Sequence, residues 1–336
     1  MTARFLTPAV RLVAGRTVAD SRDALGSTLA DLEVALSLGT SADSVTARLA
    51  GVERNPPQLG DPVTLQLGYT GDDLTGVFTG TVARVEIEPQ SIRLIAYGAA
   101  ASLLATTVDR TYTSVTAADI VQDLAQHAGV TVTRTEPGGT FPAYVVDGRR
   151  SALHHAHDVA SLCGLQLYLD PDGGLVLERF STGRTVHVYR YGQHLTRVDP
   201  WHRPSAADSV RAYGESPGTA NGDQSWSWLV ADFSASVGTA GSATGSAGSS
   251  GVLLERAALR TADLARLAAQ AELRRVQARA TGARITGVGR PEVALGDAVR
   301  LADVGSADGT YQVRDVRHRL NRRYGFTTSV ELWSIP

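Results

Sequence analysis

The 336-residue chain contains no lysine, and all 32 of its basic residues are arginine. That absence removes the phosphate-binding lysine of a Walker loop, Schiff-base mechanisms and the Ser-x-x-Lys nucleophile pair. The single cysteine, Cys163, excludes an internal disulfide and every multi-cysteine zinc site. No stretch approaches the ~18 consecutive apolar residues of a membrane span. The net charge is −2, and no basic run supplies the electrostatic footprint of a nucleic-acid binder. The opening residues MTARFLTPAVRLVAGRTVADSRD lack the charged start, apolar centre and small-residue cleavage site of a secretory leader. These absences predict a chain made in the cytoplasm, with no membrane span and no nucleic-acid specificity.

What is present points to a folded, β-rich chain. Apolar residues make up 43% and charged residues 20%, which excludes a mostly disordered polypeptide, and 34 glycines suit tight turns. The length fits about two domains, or three small ones. Asp31 to Leu38, Pro62 to Gly68 and Gly80 to Glu88 alternate apolar and polar residues, the period of half-buried strands. Gly71 to Gly76 supplies a hairpin turn between the last two, and Ser91 to Tyr97 adds a strand after Pro89. A small barrel or sandwich over 1–108 would remove the exposed edges of such a meander.

The pattern then changes. Thr116 with Asp119 reads as a capping box opening a helix through Ile120, Val121, Leu124, Ala125 and His127, with Gly129 as its terminal glycine. Ser151 caps a second helix through Leu153, Val159 and Leu162, ended by Gly164. A hairpin follows, from Leu165 to Leu169, across the turn Asp170–Gly174, to Leu175–Phe180. The segment 109–184 is thus predicted to be an α+β module. Strands return over 185–336, with Val186–Tyr191 and Ala207–Tyr213 first. An insert at 234–251, almost wholly Gly, Ser, Ala and Thr, has linker composition. Thr261 caps an Ala-rich helix over 261–280, with Leu264, Leu267, Ala268 and Ala271 on one face. Asp297–Leu301, Thr310–Val316 and Phe326–Trp333 read as closing strands.

A weak duplication is the most informative feature. Leu59-Gly-Asp-Pro-Val-Thr-Leu65 matches Leu295-Gly-Asp-Ala-Val-Arg-Leu301, and each precedes a similar strand, Gly76–Val85 and Gly309–Val316. Two like barrels flanking an α/β middle module would let three chains in a ring present six similar barrels, a trimeric ring with pseudo-sixfold symmetry.

In these stretches the sequence resembles the phage late control D proteins, the tail-hub family of contractile phages, R-type pyocins and extracellular contractile injection systems, also found in the hub of type VI spike proteins. The resemblance rests on Gly76-Val-Phe-Thr-Gly-Thr-Val82, Arg110 to Val121, the helix Ser151–Gly164 with its following hairpin, Leu295-Gly-Asp-Ala-Val, Gly309 to His318, and Gly325 to Leu332. It covers most of the chain outside the insert. It implies a non-enzymatic baseplate hub: a homotrimer joining a sixfold inner tube protein to a threefold spike around a central channel for tape measure or cargo, in contact with other baseplate proteins. The particle would be a phage tail or an injection-system baseplate. Type VI spike proteins continue into an OB-fold and a needle, and no such segment follows here, so the spike is expected on a separate polypeptide. A distal tail-tip hub of a long-tailed phage is a second reading of the same resemblance.

Candidate chemistry is sparse. His154, His155, His157 and Asp158 place four possible metal ligands in five residues, the basis of a rival reading as a metal-dependent envelope or peptidoglycan hydrolase. On a helix, however, His155 points away from the face shared by His154, His157 and Asp158. His187, His194, His202 and His318 are scattered. Asp72 and Asp73 sit in a turn, Trp226 and Trp228 alternate like strand residues, and Gly287 and Gly289 are set after a helix rather than in a dinucleotide loop. The sequence therefore predicts no catalytic, cofactor-binding or metal residue and no cofactor.

Overall fold

A computed structural model describes residues 6–22, 28–50, 56–181, 185–214, 236–241, 251–321 and 323–335. Strands dominate. The first third contains β1 (Pro8–Ala14), β2 (Thr17–Asp20), β3 (Thr28–Ser37), β4 (Ser44–Ala50), β5 (Pro62–Tyr69), β6 (Thr75–Glu88) and β7 (Ser91–Tyr97). The middle third holds α1 (Ala100–Ala105), β8 (Arg110–Thr116), α2 (Ala117–His127), β9 (Val132–Thr135), β10 (Thr140–Val146), α3 (Ala152–Leu162), β11 (Gln166–Leu169) and β12 (Leu175–Glu178). The last contains β13 (Val186–Arg190), β14 (Leu195–His202), β15 (Ser209–Tyr213), β16 (Val237–Gly241), β17 (Gly251–Glu255), α4 (Ala262–Ala280), β18 (Thr281–Val288), β19 (Ala298–Ala302), β20 (Gly309–Asn321) and β21 (Gly325–Ser334).

Alternation sets the faces of the strands. In β5, Val63, Leu65 and Leu67 are buried while Pro62 and Thr64 face out. The helices start where side-chain oxygens meet orphan amides. Thr116 and Asp119 form a reciprocal capping box on α2, and Ser151 and Thr261 cap α3 and α4. Gly129 and Gly164 take positive φ (67° and 66°) just past α2 and α3, where any side chain would be strained.

The first and last thirds share one strand order. In the first half neighbouring strands run β3–β4–β7–β6–β5–β1, and in the second β14–β18–β21–β20–β19–β13. The matched strands occur in the same chain order in both halves. Details repeat too. Gly60 and Gly296 open the two copies of the Leu-Gly-Asp turn at φ 85° and 84°. Asp61 accepts the backbone N–H of Gln58 at 2.8 Å, as Asp297 accepts that of Ala294 at 3.0 Å. The carbonyls of the same two aspartates receive Val82 N–H and Val313 N–H, at 2.9 and 3.0 Å. One-residue bulges follow Val82 and Val313, and again Leu29 and Leu195. One strand differs: β1 lies antiparallel to β5, whereas β13 lies parallel to β19. Pairing registers place Val82 and Val85 with Val313 and Val316. They also set Phe78 with Gly309 and Gly80 with Tyr311, and β6 carries a further register shift against β5 beyond Phe78, at Leu65/Gln66.

The expected pair of barrels is seen only in part, as two like halves. Among the described residues no sheet closes on itself; the two halves are open and joined into one 13-stranded sheet. The join is possible because β20 outruns β19. Its Gly309–Gln312 stretch pairs β19, and Asp315–Asn321 takes β3 along the same edge. Each half still encloses its own apolar cluster, one around Leu32, Leu49, Leu65 and Leu94, the other around Tyr189, Ile285, Val313 and Val330.

A third cluster joins α2, α3 and β10–β12 to Val210 and Ala212 of β15 and the buried face of α4. Part of the Gly/Ser/Ala stretch read as an insert is strand: β16 lies beside β15, which pairs β17 on its other edge. Gly238 packs so closely on Ala265 and Arg266 of α4 that a Cβ would collide with their backbone. Small residues there serve close packing as well as loop composition. The remainder of 242–250, and Trp226 and Trp228, lie outside the described residues.

Candidate functional site

The histidine-rich segment lies on α3, and its side chains diverge. His154 Nδ1 lies 2.7 Å from the capping Ser151 hydroxyl. His155 is buried, with Nε2 3.1 Å from the Asp147 carbonyl and its ring edge-on to Tyr144. His157 faces the strand side, where burial holds its pKa down at about 4, with His154 and Arg314 adding to the effect. Asp158 takes a 3.4 Å hydrogen bond from the Tyr144 hydroxyl and sits between Arg150 and Arg256. Four side chains with four different partners do not converge on one point, and no group of three ligating side chains converges among the described residues.

The other singled-out residues are also tied to structure. His187 Nε2 meets the Asp297 carboxylate at 2.9 Å, locking β13 to the second Leu-Gly-Asp turn. His194 Nδ1 accepts the Arg190 backbone N–H, and His202 Nδ1 lies 2.8 Å from the Thr281 hydroxyl. Cys163 ends α3, accepts the Gly139 N–H at its sulfur, and has its thiol pKa raised by burial. Asp72 and Asp73 occupy the β5–β6 hairpin tip. Gly287 lies within β18 and Gly289 just beyond it, so the expectation that they directly follow a helix is corrected. A Cβ on Gly287 would strike the His194 carbonyl, and one on Gly289 the Phe326 ring.

The more informative geometry lies where the halves and the middle module meet. A cavity of about 440 Å³ opens between Val77 and Phe78 of β6, Tyr168 and Leu169 of β11, and Leu295 with Asp297 of the second turn. At its wall Asp43 is buried and accepts the Ser37 N–H at 3.0 Å. Burial pushes its carboxyl up to about 7, and the Asp315 charge adds to the shift. A second groove, of about 380 Å³, runs between α3, α4 and the strand pair β20–β21. Arg314, the extra residue of the β20 bulge, lies along it with its guanidinium stacked 4.4 Å from the Trp333 ring. Burial lowers the Arg314 pKa. Gln312 is buried beside it, with its amide nitrogen unpartnered.

Sequence reasoning passed over Asp43 and Arg314. Asp43 reads as one more polar residue in a turn. Arg314 carried a signal: Val313-Arg-Asp-Val316 breaks strict alternation by one residue, as a bulge requires.

The junction itself is a strand pair. β3 runs antiparallel to β20, and Glu33 is held by both Arg317 (3.3 Å) and Arg319 (3.1 Å). Beneath it His318 is sealed, its Nδ1 2.9 Å from the Thr328 hydroxyl and its ring against Phe326. Burial lowers its pKa to about 4. Leu36 and Leu38, at the end of β3, pack into the apolar cluster of the second half.

No sequence-family description matches the chain, and no curated protein matches it. Solved structures do. A 43 kDa tail protein of prophage MuSo2 from Shewanella oneidensis superposes with a TM-score of 0.71 at 15% identity, covering 98% of both chains. A tail protein from Neisseria meningitidis MC58 gives 0.72 at 15% identity, over 98% of this chain and 96% of that one. The Escherichia coli c3393 protein, a type VI secretion component similar in structure to the T4 tail proteins gp27 and gp5, gives 0.57 at 9% identity, over 92% and 74%. The chain therefore has the fold of phage tail proteins along nearly its whole length, in agreement with the tail-hub resemblance of its sequence.

Proposed function

We propose that the chain is a structural baseplate hub of a phage tail or a tail-like injection machine. The observation that carries this reading is the repetition of one six-strand unit within a chain whose whole length has the tail-protein fold. A homotrimer of such chains presents six similar units in a ring. That ring can meet a sixfold inner tube on one face and a threefold spike on the other. The units act in it as barrel-like modules, and the middle module fills the space beside each pair. The ring surrounds a channel open to tape measure or cargo, and other baseplate proteins contact its rim. The protein works within the assembled particle.

The work of such a part is mechanical. Its side chains serve ladders, caps and buried clusters, and the α3 histidines point in separate directions rather than at one reacting atom. Native mass spectrometry of the purified chain tests the reading. A trimer without bound metal supports it. A monomer holding one zinc ion per chain contradicts it and favours the hydrolase.

A further inference from the structure

The two halves share one strand order, but among the described residues only one has this edge covered. In the second half, the Asp315–Asn321 stretch of β20 is covered along its edge by β3 of the first half. The matching stretch of the first half is Arg84–Glu88 of β6, which pairs β7 on one side and no described strand on the other. The registers place Ile87 where the second half has His318, and Leu59 where it has Leu295. Burial at these positions differs sharply. His318 is 1% exposed and Ile87 65%; Leu295 is 4% exposed and Leu59 70%. Two large apolar side chains thus lie open at places the fold elsewhere seals.

The strand that would seal them also exists. β14 is the counterpart of β3, with the same bulge, and it pairs β18 on one side and no described strand on the other. We infer that β14 of a second copy docks along the Arg84–Glu88 edge of β6, repeating between chains the β3–β20 junction made within each chain. This inference rests on the trimeric hub reading and names the contact that closes its ring. Transferring the internal register sets Ile87 opposite Pro200, Glu86 opposite Trp201 and Glu88 opposite Asp199. The head-to-tail contact uses two different surfaces, so it forms a ring when its rotation closes.

The junction between chains is weaker than its internal template. On β3 the Leu38 N–H bonds to the Arg314 carbonyl, so the alternate residues Leu36 and Val34 also aim their N–H groups at β20. Pro200 holds the Val34 position on β14 and has no N–H, leaving the new ladder one bond short. Charge does not compensate. Glu33 is held across the internal junction by two arginines, whereas Asp199 would face Glu86 and Glu88. Those carboxylates already have Arg93, Arg84 and Arg48 in their own chain, and Asp199 has Arg197. Apolar contact at Ile87 and Leu59 therefore provides the attraction, while the proline and the facing acids guard the edge against indiscriminate pairing.

Cross-linking tests the register. Glu88→Cys and Asp199→Cys, made in separate chains and mixed under mild oxidation, fall at a non-hydrogen-bonded pair with Cα atoms about 4.5 Å apart, within disulfide reach. The native Cys163 is buried and does not compete. Expected is a disulfide dimer joining one variant to the other, with neither joining itself, and a doubly substituted chain that links up to three copies and stops. A trimer by native mass that forms no such link overturns this junction and leaves the hub reading standing. A chain that stays monomeric and unlinked overturns both. Ile87→Asp supplies a second readout: the trimer should weaken by about ten-fold or more while the melting temperature of the single chain holds. An unchanged trimer contradicts the inference.

Discussion

His318 and Ile87 occupy the same place in two copies of one unit, and only His318 is shut away from water. The sealed copy has β3 along its edge and the Phe326 ring against the imidazole, whereas the register sets Gln90, in the β6–β7 turn, at the Phe326 position of the open copy. Turn, bulges and strand order repeat, but β3 covers one edge and no described strand covers the other. The open copy, uncovered among the described residues, is where the inferred junction between chains is placed.

Substitutions at matched positions should break this comparison unequally. The largest difference is expected between His318→Asp and Ile87→Asp. A carboxylate placed under β3 has no partner and should cost about 4 kcal/mol or more, while the exposed one should stay within about 0.5 kcal/mol. Urea unfolding of the two variants, at a dilution where the chain is monomeric, measures the gap, and equal losses would mean that the halves do not differ in burial. Next in size are the paired turn aspartates. Asp297→Ala loses both the Ala294 N–H bond and the buried His187 contact, so about 2–3 kcal/mol is expected. Asp61→Ala, which loses only an exposed amide bond, should cost about 1 kcal/mol.

A smaller effect is expected at Asp43, whose matched residue is the uncharged Thr281. The folded chain keeps the Asp43 proton up to about pH 7, whereas an unfolded chain releases it near 3.8. Between those values the folded state binds more protons, so this group lowers stability as pH rises. Asp43→Asn should leave the melting temperature unchanged near pH 4 and raise it by about 2–4 °C at pH 8. His157 and His318 act in the opposite sense. Their folded pKa values are depressed to about 4, so their contribution is present above pH 6.5 and is lost as pH falls toward 4. Acid scans of a His157→Gln variant should show a shallower loss over that window. The smallest and most even effect should come from Gly60→Ala and Gly296→Ala, each costing about 1 kcal/mol for a left-handed backbone. A large inequality there would contradict the identity of the two turns.

Much of this was legible in residue order. The capping box at Thr116 and Asp119, the caps at Ser151 and Thr261 and the terminal glycines depend on neighbours within a few residues, and each stands as read. The Leu-Gly-Asp repeat was visible because its aspartate and glycine are fixed by a local turn. The β14 strand was missed because Pro200 and the bulge at Thr196 both interrupt its pattern, and both are properties of an edge. Its counterpart β3 reads clearly as a strand from Asp31 onward. The joining of the halves was not legible at all. β3–β20 is a contact between residues nearly three hundred positions apart, and alternation says which face is buried but not which strand buries it. The buried carboxyl of Asp43 escaped for the same reason, since burial belongs to the packing around it.

Single-particle electron microscopy of the purified chain tests the central claim most directly, because it shows symmetry and repeat together. Three copies closed in a ring, with six similar lobes around an open channel, is the predicted result. A closed dimer, or a particle whose two halves point to opposite ends rather than alternating around one ring, would contradict it.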